Sequence, residues 1–356
     1  MGLENGQAAV DALFGCRGQR RRQPPARQTG SPNREFPDRH GRLAVLSDLP
    51  CEGLFVRVIQ MDRFGTPDVL DLVDVPEPVP GPGEVLIRTI ATSINPVDDK
   101  TREGAIGEGT PPLPMTLGWD LAGIVVNGGG TGLRVGERVI AMSHQLSAGR
   151  GTWADLVALP ARAVAVAPRS VSLAEAATMP LPGLTALQTL DWLAVKAGER
   201  LLVAGAAGAV GGLALQIARA RGATVDALVS RDAHVAFARD HGATLITTDR
   251  DALQDRYYDA VFDTFGAFVT EAVVDGGRYA SIATQAGPVP DLAFRGVRTT
   301  VNQVREDGAG LNELAKLVDD GSLKLRVHST FGLPEIRAAH SRFLQGGLTG
   351  KITVVF

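Results

Sequence analysis

Two rhythms of apolar and polar positions divide the chain beyond residue 54. Short apolar runs at 55–61, 84–91, 121–126, 137–141 and 152–159 are separated by polar and glycine-rich gaps. Runs of that length, bounded by turn residues, predict strands. Between the first two, Val75-Pro-Glu-Pro-Val-Pro-Gly-Pro-Gly83 is a turn-rich connector. The pattern predicts a small β domain ending near residue 168. The rhythm then changes. Ser172 and Glu175 have capping-box spacing and open a helix that ends near 179–180. Pro182 suits the start of a second helix running to Ala194. Strand-like runs follow at 200–203, 224–229, 244–247, 259–263, 278–283 and 296–301, with helical stretches at 213–221 and 232–240. This alternation predicts an α/β fold with six parallel strands in a doubly wound sheet. Helices at 311–320 and 334–344 and a strand at 351–356 complete the pattern.

Residues 1–52 share neither rhythm. They are rich in Arg, Pro and polar residues and read as a disordered, dispensable extension. They lack an apolar signal core, and Glu4 and Asp11 suit a transit peptide poorly, which points to the cytoplasm. No apolar run reaches the roughly 20 residues that a membrane helix needs. A net charge of −3 gives no electrostatic case for nucleic acid or an anionic membrane. The two cysteines, Cys16 and Cys51, precede the first strand, so the folded body has no thiolate for zinc or for a disulfide framework. The histidines are scattered without ligand spacing.

Candidate chemistry centres on Val203-Ala-Gly-Ala-Ala-Gly-Ala-Val-Gly-Gly212. A strand, a glycine turn and a helix start seat a pyrophosphate on backbone N–H groups. Gly205, Gly208 and Gly211 supply the tight turn and close approach, with Ala206, Ala209 and Val210 between them. The ligand class is therefore a dinucleotide. An NAD site usually has an acidic residue at the end of the second strand. Here Val229 stands there, followed by Ser230 and Arg231. A hydroxyl and a guanidinium suit a 2′-phosphate, which predicts NADPH. Asp226 lies mid-strand, out of reach of the ribose.

The run from Gly198 to Arg219 resembles the medium-chain dehydrogenase/reductase superfamily, and most closely its zinc-independent quinone oxidoreductase (ζ-crystallin-like) branch. Other stretches agree in order: Asn95-Pro-Val-Asp-Asp-Lys-Thr-Arg-Glu-Gly104, Leu117-Gly-Trp-Asp-Leu-Ala-Gly-Ile-Val125, Leu181-Pro-Gly-Leu-Thr-Ala186, Gly276-Gly-Arg-Tyr-Ala-Ser-Ile-Ala283 and Gly350-Lys-Ile-Thr-Val354. Ala209 departs from the branch, which usually has glycine there. The resemblance implies a GroES-like β-rich catalytic domain over 53–178, to which 306–356 return, and a Rossmann domain over 179–305. Zinc-dependent relatives carry Gly-His-Glu where this chain has Gly118-Trp119-Asp120. Without a Lewis acid the acceptor must delocalise hydride charge itself, as quinones and α,β-unsaturated carbonyls do.

The resemblance also implies site residues. Asn95, Asp98 and Lys100 line the nicotinamide cleft, with Lys100 as proton or hydrogen-bond donor and Asp98 or Asp99 orienting it; a solvated loop ion pair is the alternative. Asn95, Trp119 and Ile106 border the substrate, although Trp119 reads equally as a core aromatic. Ile106 replaces a tyrosine common in relatives. Thr185 approaches the nicotinamide, Phe265, Gly266, Ile282 and Ala283 flank the riboses, and Val304 reaches the cleft. Lys351 is either a phosphate contact or a solvated charge before an edge strand. The implied activity is NADPH-dependent reduction of a quinone or enone. Alternatives are an enoyl reductase of a polyketide or fatty-acid pathway, or a non-catalytic NADPH-binding protein. Pairing of the 296–301 edge predicts a homodimer.

Overall fold

The computed structural model describes residues 54–283 and 286–356. The expected extension at 1–52, with both cysteines, lies outside the described residues. The first part of the chain forms β1 (Phe55–Met61), β2 (Asp71–Pro76), β3 (Glu84–Ser93), α1 (Pro96–Glu103), β4 (Met115–Thr116), β5 (Asp120–Asn127), β6 (Arg138–Met142), α2 (Gln145–Ala148), β7 (Leu156–Pro160) and β8 (Val164–Val166). Helices α3 (Leu173–Ala176) and α4 (Pro180–Leu193) lead to β9 (Arg200–Ala204), α5 (Ala209–Ala220), β10 (Thr224–Leu228), α6 (Val235–Asp240), β11 (Ile246–Thr247), β12 (Tyr258–Asp263), β13 (Val273–Ser281) and β14 (Arg298–Val301). The chain continues through α7 (Gly308–Asp319), β15 (Val327–Gly332), α8 (Ile336–Leu344) and β16 (Lys351–Val355).

All six expected parallel strands are present, in the order β11-β10-β9-β12-β13-β14. Successive side chains of β9 alternate between faces, as the pleat requires. Leu201 and Val203 join the core with Leu184 of α4, Leu213 of α5 and Leu311 of α7. Leu202 and Ala204 pack on the other face beneath Ala267, Val269, Leu292 and Val297. Burial on both faces explains why these strands read as continuous apolar runs.

The β-rich part holds a three-stranded sheet, β2-β1-β4, and a seven-stranded one, β15-β16-β3-β5-β6-β8, with β7 also on β3. The C-terminal segment therefore completes the sheet begun near residue 84: β16 runs antiparallel to β3, with Thr353 opposite Ser93. One core cluster spans both parts, joining Ala91, Ala122 and Ile140 to residues of α4, α5 and α7.

Some local expectations shift. The helix expected from Pro182 begins at Pro180, whose missing N–H costs nothing in a first turn. Helix α5 starts at Ala209 rather than 213, because the glycine turn itself winds into it. Residues 232–234 form a short 3₁₀ turn before α6. Strands β2, β4, β8 and β15 and helix α1 were not anticipated.

Candidate active site and coenzyme cradle

The glycine turn has the geometry of a phosphate cradle. Gly205 adopts φ +84°, and a Cβ there would lie 2.2 Å from Thr264 Oγ1. A Cβ on Gly211 would lie 2.2 Å from Gly205 O, so turn and helix touch through bare backbone. The Gly205 and Ala206 N–H groups donate to Leu228 O at 2.8 and 3.3 Å, tying the turn to β10. Ala206 is thus buried and serves the turn rather than offering its N–H to a ligand. Gly208 is the exposed N-cap of α5, and the first helical bond runs from Gly212 N–H to Gly208 O at 2.9 Å. The N–H groups of Ala209, Val210 and Gly211 precede that bond and sit at the positive end of the helix dipole. They fit a pyrophosphate, and Ala209 is half-buried there.

Beyond β10, Val229 is buried while Ser230 and Arg231 are exposed. Asp226 is buried and paired with Arg200 Nη1 at 3.0 Å, away from the strand end. Phe265, 45% exposed, stands against Gly205, 2.9 Å from where its Cβ would be. The turn at Phe265 and Gly266 is held by Asp263, a residue that the sequence reading missed. Asp263 Oδ1 accepts the N–H groups of Phe265, Gly266 and Ala267 at 3.2, 2.9 and 3.0 Å. Its Oδ2 accepts Phe268 N–H at 2.9 Å and Tyr279 O–H at 2.7 Å. An Asp closing a strand just before a glycine is the local signal for such a turn. Ala283 is buried with its N–H on Ser281 Oγ at 3.1 Å, and Ile282 and Val304 are half-buried. Thr185, buried in α4, donates its hydroxyl to Leu181 O at 2.7 Å.

The second constellation is a buried polar cluster where α1, β5, β16 and α4 meet. Asn95 precedes α1, and its N–H donates to Asp98 Oδ2 at 2.8 Å. Asn95 Nδ2 donates to Asp120 Oδ2 at 2.8 Å. Asp120 also accepts Ser93 Oγ–H, and its Oδ1 accepts Leu181 N–H at 2.6 Å, which ties β5 to α4. Lys351 Nζ donates to Ile94 O at 2.7 Å and to Asn95 Oδ1. The phosphate contact expected of Lys351 is therefore corrected. Its ammonium is buried and spent inside this cluster, and it is not solvated either. Asp98 caps its own helix. Burial pushes its carboxyl up to about 7, and Asp98 Oδ1 has no partner among the described residues. Burial likewise pushes the Lys351 ammonium down, against the pull of Asp120 and Asp98. Sequence reasoning missed Asp120 as the hub, although it adjoins Trp119.

Lys100 is half-buried on α1, and burial holds its ammonium below the ordinary lysine value. Asp99 pairs with Arg102 and lies 3.9 Å from His340 Nδ1. Ile106 is half-buried just past the end of α1. Trp119, read either as a pocket wall or as a core aromatic, is buried. It is 3% exposed, its ring centroid lies 4.7 Å from that of His144, and its indole N–H has no partner among the described residues.

Two family matches cover most of this architecture: the alcohol dehydrogenase GroES-like domain over residues 81–169 and the zinc-binding dehydrogenase domain over 232–354. The chain belongs to the medium-chain dehydrogenase/reductase superfamily and is an oxidoreductase. It is 31% identical over 306 residues to the 2-methylene-furan-3-one reductase of Solanum lycopersicum, covering 82% of this chain and 76% of that protein. It is 30% identical over 306 residues to the chloroplastic NADPH-dependent alkenal/one oxidoreductase of Arabidopsis thaliana, covering 82% and 77%. Among solved structures it is similar to the quinone oxidoreductase from Coxiella burnetii, with a TM-score of 0.74, 28% identity, and coverage of 85% of this chain and 100% of that one.

Proposed function

We propose that this protein reduces a quinone or an α,β-unsaturated carbonyl with NADPH, without a metal. The observation that carries the reading is the fate of Trp119 and Asp120. Where zinc-dependent relatives place ligands, this chain has a core indole and a carboxylate already bonded to Ser93, Asn95 and Leu181. Such a pair does not fit a metal centre, and an acceptor that delocalises charge needs none.

The coenzyme, when bound, supplies the hydride. The chain's residues then have separable tasks. The N–H groups of Ala209, Val210 and Gly211 hold the pyrophosphate, and Ser230 and Arg231 face the 2′-phosphate. Phe265 and Gly266, set by Asp263, border the adenosine side. The Asn95–Asp98–Asp120–Lys351 cluster fixes the start of α1 and hence the placement of Lys100. Lys100 donates to the acceptor oxygen as negative charge develops there, and its lowered pKa favours proton transfer. The proposed assembly is a homodimer through β14, which among the described residues is an unpaired edge of the parallel sheet.

The test is NADPH and NADH oxidation measured against a panel of quinones, enones and enoyl thioesters. Turnover of quinones or enones with NADPH preferred is expected. Tight NADPH binding with no turnover of any acceptor would sink the catalytic reading, and preference for enoyl thioesters would move the enzyme to acyl-chain reduction.

A further inference from the structure

Arg326 reaches the glycine turn from the segment between α7 and β15. Its Cζ lies 3.5 Å from the centroid of the Phe237 ring on α6. Its Nη2 donates to Ala207 O, inside the turn, at 2.9 Å. The same nitrogen would lie 3.3 Å from a Cβ on Gly212, in the first turn of α5. The turn and both helices that frame the adenosine end of a dinucleotide site therefore converge on one side chain.

This guanidinium is half-buried, and one carbonyl and one aromatic face are its partners among the described residues. Burial pushes its pKa down to about 10, and no carboxylate among the described residues opposes that shift. Its charged surroundings are basic. Burial and the positive charges of Arg231 and Arg326 together hold the His234 ring below its ordinary value. A desolvated cation without an anion is costly, and stacking on Phe237 offsets only part of that cost. A phosphate, accepting from the guanidinium fork, is the matching counter-ion.

Resting on the NADPH reading above, we propose that Arg326, together with Arg231 and His234, receives the adenosine 2′-phosphate. The 2′-position is favoured over the pyrophosphate by location. Arg231, His234 and Phe237 all follow β10, whose end meets the ribose in this fold, whereas the pyrophosphate has the N–H groups of α5. Coenzyme choice would then depend on a residue outside the nucleotide-binding sheet. Arg326 O also accepts Lys351 N–H at 2.9 Å, so the phosphate ligand is one backbone bond from the buried cluster.

The test is calorimetric titration of adenosine 2′,5′-bisphosphate and adenosine 5′-diphosphate into the full chain and into Arg326→Gln and Arg326→Lys. For Arg326→Gln, affinity for the 2′,5′-bisphosphate is expected to fall about tenfold or more, with less than about a twofold change for the 5′-diphosphate. The KM for NADPH should rise with kcat held. Arg326→Lys keeps the charge but loses the fork, and an intermediate selectivity is expected; it carries the test if the Gln variant does not fold. Equal losses for both ligands would place Arg326 at the pyrophosphate and overturn the assignment. A folded Gln variant with wild-type selectivity overturns it too. A wild-type chain that binds both ligands equally removes the NADPH reading, and this assignment with it.

Discussion

Lys351 Nζ lies 3.6 Å from Asp120 Oδ2, with the two residues 7% and 0% exposed. The pair joins the first residue of β16 to the first residue of β5. Through Leu181 N–H and Asn95 it also fixes the N-termini of α4 and α1. Lys351→Met would leave Asp120 buried without its cation. It should destabilise the protein by about 3–5 kcal/mol, read from urea unfolding. A loss below about 1 kcal/mol, the scale of an exposed ion pair, would mean that water reaches the cluster.

Asp98 predicts a pH dependence of opposite sense to most carboxylates. Burial raises its pKa in the folded state from 3.8 to about 7, in sight of Lys351 and Asp120. Between those values the folded chain holds a proton that the unfolded chain has released. Its contribution to stability is therefore complete below the unfolded value and is lost as pH rises through about 7. Asp98→Asn retains a carbonyl to accept Asn95 N–H but cannot titrate. Melting temperatures from pH 5 to 8 should fall less steeply in this variant than in the wild type.

Lys100→Met should lower kcat/KM for an enone by roughly a hundredfold or more, the scale of a lost proton donor. The KM for NADPH should hold. Because burial depresses the Lys100 pKa, the alkaline limb of kcat should lie below the ordinary lysine range. Unchanged turnover would take Lys100 out of the reaction.

Gly205→Ala should cost about 1–3 kcal/mol, the strain of a side chain at φ +84° aimed at Thr264. NADPH should then protect the variant less against thermal unfolding than it protects the wild type. Ala209→Gly is the contrast. At the first position of α5 it should cost no more than about 1 kcal/mol and leave the N–H cradle intact.

Light scattering should report the mass of two chains, as pairing of β14 edges requires. A monomer would mean that this edge is left open in solution.

The parallel sheet was legible because β9 and its neighbours are apolar on both faces and are punctuated by glycine. Helix α1 was not, because Pro-Val-Asp-Asp-Lys-Thr-Arg-Glu has a single large apolar residue and buries Asp98, Thr101 and Arg102 instead. Strand β15 hid for a similar reason: His328, Ser329 and Thr330 carry no apolar alternation. Arg326 is far from the glycine turn in sequence, and only the fold brings the two together. Lys351 read as a phosphate contact or a solvated charge because a lone lysine before a strand says nothing about the carboxylates opposite it.

The seating of β16 between β15 and β3 orders events on the ribosome. Residues 200–301 can assemble the nucleotide sheet as one contiguous stretch. The sheet begun earlier has no such freedom: β3 pairs with β5 and β7 soon after it is made, but its end at Ala91–Ser93 takes up β16 only once residues beyond 350 emerge. Long-range closure of this kind is slow and leaves an open strand edge meanwhile. The part of the enzyme made first is thus the part finished last. A nascent chain stalled after β14 would carry all six strands of the coenzyme sheet beside a catalytic sheet still missing β15 and β16.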